Sequence, residues 1–350
     1  MSNRGHIPAL QSLRGLAALV VLLHHASFVF ATSPGFRSAL ETALNAHAAV
    51  VIFFVLSGFV LSRSLGDAPL NRRGVMRFWL RRGFRIYPAA WAACVLAIIL
   101  MTVLADVPTR NASDWFGAML SLARLDASNI ITNLIVLKTT LVPPLWSVRM
   151  ELAMSLLMPL IWGLVRRGFA VPLLVVTGAL CLASVHPLLA YVFAFALGST
   201  LARHDSLSPT PLAALAAVLV LLFFRRLNPA WHFETDYEAA IPTFVESLAG
   251  VVVVAFVAQD RVPRWLVAAP LVALGDISYS LYALHFPILA ALSKLPFLGN
   301  LAPDIAALLL MALTLAVTLP AAALAYRWIE RPGIALGKRL LARSPPPMPA

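Results

Sequence analysis

Residues 10–28 read LQSLRGLAALVVLLHHASF, an apolar run that also holds Arg14, His24 and His25. A bilayer-crossing helix needs about 20 mostly apolar residues. An ionisable group inside one is costly, and it points to function or to bonding between helices. Arg14 and His25 are eleven residues apart, close to three helical turns, so they share a face at about 16 Å separation along the axis. That is the reach of an extended pantetheine arm, with Arg14 meeting phosphate and His25 meeting a thioester. His24 points about 100° away. Two plainer readings stand beside this one: Arg14 snorkels to the interface, and His25 bonds a neighbouring helix.

The rest of the chain has the same character. Of 350 residues, 61% are hydrophobic and only 12% charged, with a mean hydropathy of +0.86. That leaves too little polar surface for a water-soluble globule. Ten segments read as spans: 10–31, 45–65, 85–105, 145–165, 169–186, 188–203, 211–227, 242–259, 268–291 and 304–328. The expected fold is an all-α polytopic transmembrane helical bundle of about ten spans. It fills residues 1–343 as one domain, with a disordered tail over 344–350. The net charge of +12 lies mostly at the ends of apolar runs, which argues for membrane topology and against nucleic acid. Arg63, Arg72, Arg73, Arg77, Arg81, Arg82, Arg166, Arg167 and Lys338 fall on one side if both termini are cytoplasmic. Cys94 and Cys181 lie inside apolar runs, where neither a disulfide nor a metal site is expected.

Three further stretches carry polar groups. In RFWLRRGFRIYP, Arg77, Arg81, Arg82 and Arg85 recur at helical spacing. Guanidinium forks suit phosphate, and they equally suit anionic lipid headgroups. Glu151, in PLWSVRMELAMSLLMP, lies just inside a span. It reads either as the carboxylate that orients a base histidine or as a structural ion pair with Arg149. In GDISYSLYALHFP, Asp276, Ser278, Tyr279, Tyr282 and His285 read mainly as bonds between helices, with His285 a secondary candidate. Ser57 and Gly58 in FFVLSGF permit close helix approach. His47 reads as interfacial, and Glu330 in RWIERP as the partner of a nearby arginine.

Taken together, the Arg14–His25 pair, FFVLSGF, RRGFRIYP, LWSVRMEL, GDISYSLYALHFP and YRWIERP resemble the acyltransferase 3 family of membrane acyltransferases along nearly the whole chain. Ala49 and Val51 depart from the small polar pattern that many members carry before FFVLSGF. The resemblance implies a multi-pass enzyme of the bacterial inner membrane. It would move an acyl group, typically acetyl, from cytoplasmic acyl-CoA to a hydroxyl of a carbohydrate or lipid-linked glycan such as O-antigen or exopolysaccharide. It implies His25 as the essential histidine, Arg14 as its paired arginine, Arg82 and Arg85 as an arginine–two residues–arginine element, and Glu151 as the acidic residue of a tryptophan-containing motif. Expected partners are acyl-CoA, the glycan acceptor and membrane lipids, with no metal and no nucleic acid. Direct transfer with His25 as general base and a covalent acyl relay both remain open. A glycan transporter or flippase without acyl transfer is the competing class.

Overall fold

The computed structural model describes residues 7–183, 187–204, 207–231, 239–259 and 261–342. His186, His232 and the expected tail over 344–350 lie outside them. Among the described residues every regular element is a helix, apart from one isolated bridge between Phe30 and Ala112.

Several helices begin where the sequence supplies a fixed φ or a cap. Pro8 opens α1 (Pro8–Ser27), and Pro34 opens the short α2 (Pro34–Ala43). Proline at these positions gives up a donor that would go unpaired anyway. Asn45 caps α3 (Ala46–Leu65) through Ala48 N–H, and Asn71 caps α4 (Arg72–Val103) through Gly74 N–H. Ser113 and Asp126 cap the two short helices α5 (Asp114–Ser121) and α6 (Ala127–Leu134). Then come α7 (Trp146–Arg166), α8 (Ala170–Leu182), α9 (Pro187–Arg203), α10 (Pro211–Phe223) and α11 (Ala240–Val257). Last are α12 (Ala269–Asp276), α13 (Ser278–Leu292), α14 (Pro303–Ala325) and α15 (Arg331–Ala342), with a π-helical turn over Tyr326–Glu330 between the final two.

Each of the ten expected segments contains a helix among the described residues. Among the described residues six helical stretches are long and apolar enough to cross a membrane, or seven if the bent pair α12–α13 counts as one span. The helices α8, α9 and α10 fall below that length. Outward apolar stripes agree with a lipid surrounding: Trp91, Val95, Ile99 and Val103 are exposed on α4 at four-residue spacing, as are Leu215, Leu219 and Phe223 on α10. Cys94 and Cys181 are free and buried.

Two corrections to the expected topology concern the site. The expected span 85–105 starts too late, because α4 starts at Arg72 and takes in Arg77, Arg81 and Arg82 as regular turns. The ninth span is not one rod, because α12 and α13 meet at Ile277 with a bend of 68°.

Glycines set the closest crossings. A Cβ at Gly198 would sit 2.0 Å from Val55 O, and one at Gly58 would sit 2.3 Å from Phe195 O, so α3 and α9 touch backbone to backbone. Without a hydrophobic drive between helices in lipid, such contact supplies much of the packing energy. Gly275 on α12 lies equally close to Gln11 on α1, where a Cβ would meet the carbonyl oxygen at 2.0 Å. That crossing, beside Arg14, presses the bend against α1.

Candidate active site

His25 lies near the last turn of α1. Its Nδ1 is 2.9 Å from Nε2 of His285 on α13. The two rings are nearly coplanar, at 10°, with centroids 5.1 Å apart. An in-plane N–H···N bond between two imidazoles gives this arrangement, since the separation is the bond length plus two ring radii. The other nitrogen of His285, Nδ1, is 2.7 Å from Tyr282 O.

A carbonyl oxygen only accepts, so a neutral His285 carries its proton on Nδ1 and offers a lone pair at Nε2. His25 then donates from Nδ1. Its own Nε2 is left with a lone pair and no hydrogen bond to any described residue. The chain Tyr282 carbonyl–His285–His25 thus fixes the tautomer of His25. His24, on the adjacent face, bonds Leu44 O at 2.8 Å instead.

Glu151 does not occupy the orienting position expected of it. Its carboxylate pairs with Arg82 and accepts a weak hydrogen bond from Ser57 at 3.4 Å. Arg82 is anchored further by Nε to Ser155 Oγ at 3.0 Å. The extended α4 explains the pairing, because it brings Arg82 level with the first turns of α7. Arg149, the other expected partner, donates to Leu137 O.

Arg14, Arg82, Arg85, Glu151 and Glu330 share one electrostatic neighbourhood. Of these charges, Arg82 and Glu151 form a direct ion pair. Arg14 bonds only Gln11 among the described residues, and Arg85 makes no hydrogen bond there. Two guanidinium forks are therefore available to an anion.

Glu330 is held by Ser280, not by an arginine. Ser280 Oγ donates to it at 2.7 Å. The bend at Ile277 starts α13 afresh and leaves its first N–H groups without upstream carbonyls. A carboxylate from the π turn of another segment faces that helix start and suits its dipole.

Aromatic groups flank the partly exposed ring of His25. Trp115 of α5 lies nearly parallel to the His25 ring, at 9° and 5.8 Å between centroids. Phe286 meets the same ring edge-on at 6.2 Å. The segment that carries Trp115 is fastened to the end of α1. Ser113 N–H donates to Val29 O at 2.8 Å, Ser113 Oγ to Phe28 O at 2.5 Å, and Ala31 N–H to Asn111 O at 3.1 Å.

A second buried ionic group lies away from these residues. Glu246 of α11 is fully buried and pairs with His47, with Arg225 Nε at 3.0 Å and with Asn45 Nδ2 at 3.1 Å. His47 also reaches Tyr191 Oη at 3.2 Å. His47 is thus a core residue, not an interfacial one.

A family profile described as an acyltransferase domain, Acyl_transf_3, matches residues 7–327. The chain belongs to that family. This acyltransferase-family chain is 32% identical over 163 residues to the acyltransferase MdmB of Streptomyces mycarofaciens, covering 46% of the chain and 40% of that relative. It is 30% identical over 99 residues to the peptidoglycan O-acetyltransferase OatA of Listeria monocytogenes, covering 28% of the chain and 14% of the relative. Against the putative membrane-bound transacylase BcsY of Komagataeibacter xylinus it is 27% identical over 345 residues, covering 93% and 82%. The match thus spans less than half the length of the first two relatives and most of the third. No solved structure matches the chain.

In this family member the sequence-predicted residues form two groups. Arg14, Arg82, Arg85 and Glu151 come together, while His25 lies further along α1 beside His285. Sequence reasoning ranked His285 as secondary and did not single out Trp115 or Glu330's tie to Ser280. The signal for His285 is its place three residues after Tyr282 in a helix that starts after the bend at Ile277 and carries Pro287 inside it.

Proposed function

We propose that the chain is an O-acyltransferase of the bacterial inner membrane, with both termini cytoplasmic, that moves an acyl group from acyl-CoA to a hydroxyl of a glycan. The observation that carries this reading is a histidine whose Nε2 lone pair is fixed by His285, on the same helix as an arginine in an anion-ready cluster. Arg14, Arg85 and the Glu151-braced Arg82 hold the phosphates of CoA. The pantetheine runs along α1, and the ~16 Å rise from Arg14 delivers the thioester to His25.

His25 Nε2 takes the proton of the acceptor hydroxyl as its oxygen attacks the acyl carbon. The new C–O bond forms, the C–S bond breaks, and the departing thiolate recovers the proton from the imidazolium. His285 accepts the Nδ1–H bond throughout and so steadies the charged ring. Acetyl is the favoured acyl group, and an O-antigen or exopolysaccharide sugar the favoured acceptor, on the family resemblance and the relatives' names.

The test is chemical. Membranes holding the protein, given acetyl-CoA labelled in the acetyl group, should place alkali-labile label on surface glycan and release CoA, whereas membranes lacking it should not. Label confined to lipid or protein would overturn the glycan assignment, and no CoA release would favour a transporter.

Two variants probe the parts. Arg82→Ala with Arg85→Ala should weaken CoA binding by roughly ten-fold or more, since charge-assisted bonds to phosphate contribute about 1.5–3 kcal/mol each. Isothermal titration with CoA reads this, and unchanged affinity reassigns both arginines to lipid or to structure. His285→Ala should lower turnover about 10–100-fold, the usual effect of removing a partner that orients a reactive imidazole. His285→Gln, whose amide oxygen can accept the same bond, should recover part of it. Equal loss in both variants would make His285 a packing residue only.

A further inference from the structure

The bond between His25 and His285 is only as well placed as α13, and α13 is interrupted on both sides of His285. The helix starts after the 68° bend at Ile277. It also carries Pro287, which has no N–H to return to the carbonyl of Ala283 one turn earlier. The position of His285 therefore depends on contacts with neighbouring elements. Resting on the reading of His25 as base, we infer that Tyr282 is a positioning residue for acyl transfer: its phenol, clamped at the head of α7, keeps His285 in register with His25.

The clamp is fully bonded. Tyr282 Oη donates to Pro144 O at 2.9 Å and accepts from Ser147 Oγ at 2.7 Å. Pro144 lies in the turn Pro143–Leu145 and Ser147 in the first turn of α7. Both the tyrosine and the serine are buried. The phenol ring meets Phe53 at 6.2 Å and 74°, and the imidazole of His285 at 5.6 Å and 61°. The carbonyl of the same residue accepts from His285 Nδ1 at 2.7 Å. One residue thus meets His285 through both its ring and its backbone, while its hydroxyl is tied to another helix.

That other helix also serves the arginines. Ser147 and Glu151 are one turn apart on α7 and share a face. Glu151 pairs with Arg82, and Ser155, a further turn along, accepts from Arg82 Nε at 3.0 Å. The anion-ready cluster and the imidazole pair are therefore both referred to the first turns of α7. A thioester held by its phosphates at one end meets a base whose place is set from the same rod.

Tyr282→Phe removes the hydroxyl and keeps the ring. Ser147 Oγ is already 3.3 Å from Pro144 O and can then donate there, so no buried donor is stranded and the variant should accumulate as wild type does. Transfer of labelled acetyl from acetyl-CoA to glycan is followed in native membranes, with the protein quantified by immunoblot. The maximal rate should fall roughly ten-fold, the lower end of the usual effect of removing an orienting partner. The acetyl-CoA concentration at half-maximal rate should stay within about two-fold of wild type. Ser147→Ala, which breaks one of the two bonds, should lose roughly three-fold, and it stands in if Tyr282→Phe does not fold.

The deciding readout is the same substitution made in a His285→Ala background. A phenol that acts through His285 has nothing left to position there, so the further loss should be less than about two-fold. Equal losses in the two backgrounds overturn the assignment and leave Tyr282 a bond between helices. An unchanged maximal rate in folded Tyr282→Phe, or in Ser147→Ala in its stead, overturns it as well, as does a loss confined to acetyl-CoA affinity. His25→Ala, measured alongside, separates the two readings. If it transfers at the wild-type rate, the base reading fails and takes this one with it. If it is inactive, a null result for Tyr282→Phe removes the clamp alone.

Discussion

His25→Ala should lower acyl transfer by about 10²–10⁴-fold, the range that a positioned general base contributes. The loss should fall on turnover. The arginines that would hold CoA lie three helical turns away, so affinity for CoA should stay within about two-fold of wild type. Membrane abundance should also hold. The one hydrogen bond the imidazole makes to a described residue is to His285, and a neutral bond contributes only about 0.5–1.5 kcal/mol net. Labelled transfer in membranes, CoA titration and quantitative immunoblotting check the three statements. A variant that binds CoA normally and still transfers at the wild-type rate would remove His25 from the chemistry.

The second large effect concerns folding. Glu246→Ala should destabilise the bundle by about 3–5 kcal/mol, because it leaves buried charge without its counter-ion. Arg225 and His47 both lie against this carboxylate, and Asn45 bonds it as well. Thermal unfolding in detergent and abundance in the membrane should both fall. Glu246→Gln should fall less, since its amide oxygen can still accept from Arg225 and Asn45. Transfer per folded molecule should be unchanged, because this group shares no residue with the site at His25. A Glu246→Ala protein that melts at the wild-type temperature would mean that water or lipid replaces the lost charge at little cost.

The helical segments were legible in the sequence because hydropathy reports burial in lipid directly. All ten expected runs contain helices. Pairing was not legible in the same way. Glu151 and a histidine fit a common chemical pattern, yet Glu151 lies on Arg82. Nothing in a one-dimensional spacing shows that α4 begins at Arg72 and delivers that guanidinium at the required height. His47 and Glu246 are separated by 199 residues, so no helical period could connect them. Trp115 sits in a stretch of short helices whose place beside His25 depends on hydrogen bonds to Phe28 and Val29. Gly275 and Gln11 touch for a similar reason, since a near-contact between backbones leaves no trace in composition. The Arg14–His25 register was readable because both residues share one helix, where spacing is geometry.

The two imidazoles are 260 residues apart in sequence. Chains grow at about 5–20 residues per second, so the first span waits on the order of tens of seconds after synthesis before its ring partner leaves the ribosome. During that interval the imidazole is in lipid or at the translocon without a bonding companion. The bond that sets which nitrogen of His25 carries its proton therefore forms only after α1 to α12 have all been made.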